Sequence, residues 1–113
     1  MTRGEIWIAD FGVPFGSEAG FIRPVIIVQN NAVNKSNINT TIIVPLTSNL
    51  VYEEAAGNVF IDKKESRLSK DSVAVVSQLD VIDKKRLRKK VHTLAAYTMN
   101  LLEEGIRLIL DLH

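Results

Sequence analysis

Two histidines, His92 and His113, and the absence of cysteine leave this chain little material for metal or thiol chemistry. Neither histidine has a second candidate ligand nearby, and no His/Asp/Glu group has the spacing of a metal site. A two-histidine acid–base reaction is disfavoured for the same reason. The remaining candidates are an arginine and a hydroxyl cluster. Arg23-Pro24 follows Gly16-Ser17-Glu18-Ala19-Gly20, a stretch dense in turn formers, so a loop delivers a guanidinium to the mouth of a strand. Thr47-Ser48-Asn49 closes an apolar, β-branched run. Taken singly, each has an ordinary reading, the arginine as a surface ion-pair residue and the threonine as a turn residue.

The elements that must position these residues are mostly strands. Gly4–Asp10 mixes apolar and polar residues around β-branched and aromatic positions and predicts a half-buried strand. Phe11–Ile22 holds Gly12, Pro14, Gly16 and Gly20 and predicts a long, mobile loop. Pro24–Gln29 is a continuous apolar run, as expected of a strand buried on both faces. The asparagine-rich stretch Asn30–Asn39 predicts a polar connection, and Thr40–Leu46 predicts the next strand. Asn58–Ile61 and Ser72–Gln78 predict two more strands, with Asp62–Asp71 as a charged turn between them. A short segment near Val81 and a last strand at Val91–Leu94 complete the set. Beyond Ala95, Met99, Leu102, Ile106 and Ile109 recur at steps of three and four, the stripe of a C-terminal helix. Gly105 inside that helix points to close packing. Together these predict an α+β fold, a small SH3-like β-barrel of five to seven short strands with a C-terminal helix.

At 113 residues, with 46% hydrophobic and 24% charged residues, one globular domain spanning 1–113 is expected. The absence of cysteine makes the cytoplasm the default compartment. No signal-peptide core or membrane-length apolar run is present, so no membrane partner is expected. A net charge of +1 argues neither for nor against nucleic acid. The run Lys84–Lys90 packs six basic residues around Leu87 and is exposed in any arrangement; a solvated face is favoured over a phosphate-binding one.

In order and spacing, Arg3-Gly4-Glu5, Gly16-Ser17-Glu18, Arg23-Pro24, Val25–Asn30, Val44-Pro45-Leu46-Thr47-Ser48, Asp71-Ser72-Val73, Gln78 and Ile82–Leu87 resemble the MazF/PemK toxins. These are the ribonuclease halves of bacterial type II toxin–antitoxin pairs. The resemblance covers essentially the whole chain. It implies a sequence-specific, metal-independent endoribonuclease, an mRNA interferase needing no cofactor. Arg23 and Thr47 would be its catalytic pair, acting on single-stranded RNA with the ribose 2′-OH as nucleophile. The products would carry a 2′,3′-cyclic phosphate and a 5′-OH, and DNA would be spared for lack of the hydroxyl. RNA contacts would fall to Ser17, Glu18, Phe21, Ser48, Ser77 and Gln78. The resemblance further implies a homodimer held inactive by a cognate antitoxin.

Two residues depart from the family pattern. Ser77 stands where relatives often carry an acid, and Phe21-Ile22 where many carry glycine and a polar residue. Physical chemistry then divides the roles of the pair. A guanidinium suits the equatorial oxygens of a charged phosphorane and is a poor general base. Thr47 is better suited to orienting a phosphate or the 2′-OH than to attacking. Two alternatives compete with RNA cleavage: a toxin of the same barrel fold that poisons DNA gyrase, and a catalytically silent, antitoxin-binding relative. The first predicts no RNA cleavage and indifference to Arg23→Ala; the intact Arg23 and Thr47 argue against the second.

Overall fold

The computed structural model describes residues 1–12, 16 and 21–113. Its strands are β1 (Glu5–Asp10), β2 (Ile22–Ile27), β3 (Thr40–Thr47), β4 (Val59–Ile61), β5 (Ser72–Ala74), β6 (Asp80–Asp83) and β7 (Leu87–Thr93). Two single-turn helices, α1 (Asn31–Asn34) and α2 (Lys63–Ser66), interrupt them, and α3 (Ala96–Leu110) closes the chain. All the strand pairs are antiparallel, in the order β4-β5-β3-β2-β1-β7 with β6 also on β3.

β3 organises the sheet because its two halves take different partners. Thr40–Ile43 pair with β6, Leu46 and Thr47 pair with β5, and Ile43–Pro45 pair with β2 on the other side. The apolar run of β2 alternates between two cores. Ile26, with Val44, Leu46 and Ile61, faces α3 through Met99 and Leu102. Val25 and Ile27 face the opposite way, toward Ala9, Ile43 and Ile82, with Trp7, Phe11 and Leu87 packed around them. Val25, Ile26 and Ile27 are all fully buried, which accounts for a run without polar alternation. Each such side chain contributes roughly 1.5–3 kcal/mol relative to exposure.

The family-like opening Arg3-Gly4-Glu5 is a structural brace. Arg3 donates from Nε to the Val28 carbonyl (2.9 Å) and from Nη2 to Glu103 (2.9 Å), and its backbone N–H reaches Asn31 Oδ1 (2.7 Å). One side chain thus joins β2's exit to α3, and the backbone behind it joins α1. The Gly4 N–H donates to the Ile27 carbonyl from a left-handed backbone (φ +94°). Glu5 is 8% exposed and accepts from the Thr2 N–H and Trp7 Nε1, both at 2.9 Å, with Lys90 Nζ at 3.1 Å. Burial pushes its carboxyl pKa up, but the hydrogen bonds from Trp7 and Thr2, joined by Lys90, outweigh it and hold the value at about 2.

Several boundaries differ from the sequence expectation. β2 starts at Ile22, two residues before Pro24, and stops at Ile27. The connection 30–39 contains α1: Asn30 caps it through the Ala32 N–H, and buried Asn34 accepts from Gln29 Nε2 and Thr41 Oγ1. The charged turn 62–71 contains α2, capped by Asp62. The expected strand 72–78 ends at Ala74, because the Val75 N–H turns to the Pro45 carbonyl and the Val76 N–H to Asn58 Oδ1. Residues 76–78 form a 3-10 turn instead. The last strand begins at Leu87, so half of the basic run lies inside it. Met99 and Leu102 are buried as the helical stripe requires, whereas Ile109 is 39% exposed. No helix among the described residues is long and apolar enough to cross a membrane.

Candidate active site

Arg23 enters the fold opposite Ala9 of β1, near the start of β2. Thr47 ends β3 and pairs with Val73 of β5. The β2–β3 register runs from Ile27↔Ile43 to Val25↔Pro45, and Arg23 and Thr47 each lie two residues beyond that last pair. Side chains two residues apart in a strand share a face of the sheet, so Arg23 follows the face of Val25 and Thr47 that of Pro45.

Both residues line one cleft of about 410 Å³. Ile8, Ile22, Pro24, Leu46 and Leu68 give it an apolar lining, and Ser48, Ser69, Lys70 and Ser72 a polar one. A guanidinium, an ammonium and several hydroxyls therefore surround a partly apolar groove, a composition suited to a sugar–phosphate strand. A larger groove, of about 760 Å³, is lined by Val28, Ile42, Ile106 and Leu110, and no sequence-predicted site residue borders it.

The base of the loop before Arg23 is fixed by a reciprocal backbone pair: Phe11 N–H to the Phe21 carbonyl (2.6 Å) and Phe21 N–H to the Gly12 carbonyl (2.7 Å). Phe21 has φ +55°, a left-handed conformation that costs a non-glycine residue roughly 1–2 kcal/mol. Its ring is 64% exposed beside Ile22, itself 67% exposed. On the other side of the loop base, Asp10 accepts from the Gly12 N–H (2.9 Å) and from Arg88 (3.1 Å). Those two contacts hold the Asp10 carboxyl below its ordinary range.

The sequence-predicted residues separate into three groups. Arg23, Thr47 and Ser48 share the cleft, with Phe21 next to Ile22 of its lining. Ser77 and Gln78 lie on the turn 76–78 and do not line it; Ser77 is exposed, and Gln78 Oε1 is buried without a hydrogen-bond partner among the described residues. Ser17 and Glu18 fall outside the described residues. Sequence reasoning did not name Ser69, Lys70 or Ser72 as lining residues: Ser72 stood in the motif Asp71-Ser72-Val73, whereas Ser69 and Lys70 carry only the polar composition of an exposed turn. His92 lies on β7 opposite Ile6, away from the cleft lining. Among the described residues no three His, Asp or Glu side chains converge to hold a metal.

The basic run is largely occupied with structural work. Lys84 Nζ donates to the Asn34 carbonyl (2.8 Å), Arg86 to the Asp10 carbonyl (3.1 Å), Arg88 to the Asp10 carboxylate, and Lys90 to Glu5.

An antiparallel β sheet with a terminal helix and an arginine–threonine cleft defines a class, and comparisons with known proteins name it. Residues 2–110 match the family model described as PemK-like, MazF-like toxin of type II toxin-antitoxin system. The chain is 36% identical over 112 residues to Endoribonuclease MazF2 of Mycobacterium bovis, covering 99% of this chain and 98% of that one. It is also 36% identical over 113 residues to Endoribonuclease MazF of Staphylococcus saprophyticus, covering 100% and 93%. Among solved structures, a mycobacterial endoribonuclease in complex with its cognate antitoxin superposes with a TM-score of 0.80 at 22% identity, covering 100% of this chain and 97% of that chain. The chain belongs to the PemK/MazF family of type II toxin–antitoxin toxins and is an endoribonuclease of the MazF type.

Proposed function

We propose that this toxin cuts single-stranded RNA without a metal ion and that Arg23 and Thr47 carry the reaction. The observation behind this reading is that both side chains line one cleft, which also holds Ser48 and Lys70. The ribose 2′-oxygen would attack the adjacent phosphorus while the 5′-oxygen of the next nucleotide leaves. The nucleophile loses its proton and the leaving oxygen gains one, giving a 2′,3′-cyclic phosphate and a 5′-OH. Arg23 neutralises the charge that builds on the equatorial oxygens, where rigid, permanently charged donors are most effective. Thr47 orients the phosphate or the 2′-OH for in-line attack. Phe21 and Ser48 contact the strand at the cleft, and Ser17, Glu18, Ser77 and Gln78 extend the contact beyond it.

Two partners accompany this reading. A cognate antitoxin holds the toxin inactive by covering the RNA cleft, in keeping with the mycobacterial endoribonuclease of similar fold solved in complex with its cognate antitoxin. The toxin itself works as a homodimer in the cytoplasm; Leu108, Leu110 and Leu112 leave an apolar surface at the end of α3 (60%, 49% and 55% exposed) that a second copy would cover.

The test is to incubate purified protein with a long RNA in EDTA and map the fragment ends. Cleavage leaving cyclic-phosphate and 5′-OH ends, absent in Arg23→Ala, is expected. Full cleavage by that variant, or intact RNA with the wild type across varied sequences, would overturn the reading.

A further inference from the structure

Lys70 lines the same cleft as Arg23 and Thr47, in the segment Leu68–Lys70 that leads into β5. Its loop is held from several sides. Asp71 Oδ1 accepts from the Lys63 N–H (2.8 Å), Ser72 Oγ donates to the Lys70 carbonyl (3.2 Å), and the Leu68 N–H donates to Ser66 Oγ (3.1 Å). Arg67 turns the chain out of α2 in a left-handed conformation (φ +66°), and three residues after Lys70 the strand pairs Val73 with Thr47. The lysine's backbone is therefore pinned to the same ladder that carries Thr47.

Its charge is also uncommitted. Arg3, Arg88, Lys90 and Arg107 all meet carboxylates, whereas Lys70 makes no ion pair among the described residues. A cation that no described carboxylate pairs, fixed at its base and exposed in the cleft that Arg23 and Thr47 line, is placed to meet a phosphate. A lysine ammonium is a compact, hydrated point charge on a long stem, which suits a solvent-facing phosphate better than the desolvated centre of a reaction.

We propose that Lys70 is the second cation of the cleft and grips the RNA phosphate next to the one that is cut. The assignment rests on the RNA-cleaving reading above and adds a binding residue to it. Arg23 and Thr47 serve the reacting phosphate; Lys70, from the segment that leads into β5 beside Thr47, serves its neighbour. Such a contact is made equally before and during reaction, so it sets affinity and leaves turnover alone.

The experiment compares Lys70→Ala, Lys70→Arg and, as a control on an exposed lysine elsewhere, Lys35→Ala. Each is assayed for cleavage of a short RNA spanning a mapped cut, and for binding to the same oligonucleotide with a 2′-deoxy sugar before the cut. Lys70→Ala is expected to raise KM and Kd about tenfold, with kcat within about twofold of wild type. The slope of log K against log salt should shrink by about 0.7, the share of one phosphate on a single strand. Lys70→Arg should recover most of the affinity, and Lys35→Ala should change nothing. Thermal melts identify a misfolded Lys70→Ala, in which case Lys70→Gln takes its place. Wild-type binding and KM in the neutral variant, or a loss confined to kcat, would overturn the proposal while leaving RNA cleavage intact. A wild type that cuts no RNA would overturn both.

Discussion

Arg23 and Thr47 each lie two residues beyond Val25↔Pro45, the last pair of the β2–β3 ladder, and both line one cleft. Val25 is fully buried and Pro45 is buried beside it, which makes a slip of that register costly. If the two residues act on one phosphate, their deletions cannot be independent. Arg23→Ala should slow RNA cleavage by about 10³-fold and Thr47→Ala by about 10²-fold. The double variant should fall well short of the product of the two, because once the guanidinium is gone there is little transition-state charge left for an oriented phosphate to exploit. Arg23→Lys should fail to restore the rate, since an ammonium lacks the planar fork. Single-turnover kinetics on one mapped site measure all four enzymes, and strict multiplicativity would separate the residues into unrelated roles.

Glu5 makes stability depend on acid in a defined window. Its folded pKa is held at about 2 against an ordinary 4.5, so the folded state favours the carboxylate. The stabilisation is complete above the unfolded value, near pH 4.5, and is lost as pH falls through about 2. Glu5→Gln should lower stability at pH 7 by on the order of 2 kcal/mol, and its stability should converge with that of the wild type near pH 2. Urea titrations at several pH values read this directly; parallel curves down to pH 2 would dissociate the carboxylate from the effect.

Gly105 tests close packing by the sign of a substitution. In an open helix Gly→Ala stabilises by about 1 kcal/mol. Here a methyl group at 105 would overlap the carbonyl oxygen of Gly57 and come within 3.1 Å of its carbon, and Gly57 is itself held at φ +86°. Gly105→Ala is therefore expected to destabilise by about 2–3 kcal/mol. A rise in Tm would mean that the turn at Gly57 yields readily.

How far each element could be read from sequence follows from where its hydrogen bonds go. β2 and β3 were legible because their apolar runs are long and buried on both faces. α1 was not, because Asn34 is ordered by Gln29 and Thr41, partners set by the tertiary fold. The end of β5 was missed because Val76 leaves the ladder for Asn58, eighteen residues earlier. The basic run read as a solvated face and is mostly exposed, yet it continues as β7 because Glu5 and Asp10 of β1 supply counter-charges. In the site, Arg23 and Thr47 were legible only through a whole-chain family pattern; no spacing rule joins residues twenty-four apart. Lys70 gave no signal, since its place in the cleft depends on how the charged turn before β5 folds.

β7 closes one end of the strand order, pairing with β1 alone among the described residues. A strand in that position offers free backbone donors and acceptors to any passing chain. Two molecules meeting along this margin would set Arg88, Lys89 and Lys90 against the same charges, with Asp10 and Glu5 already engaged. The cost of that encounter is electrostatic and is felt before any hydrogen bond forms. The sequence's most conspicuous charge cluster thus lies along an open margin of the sheet, where like charges disfavour edge-to-edge pairing of two copies.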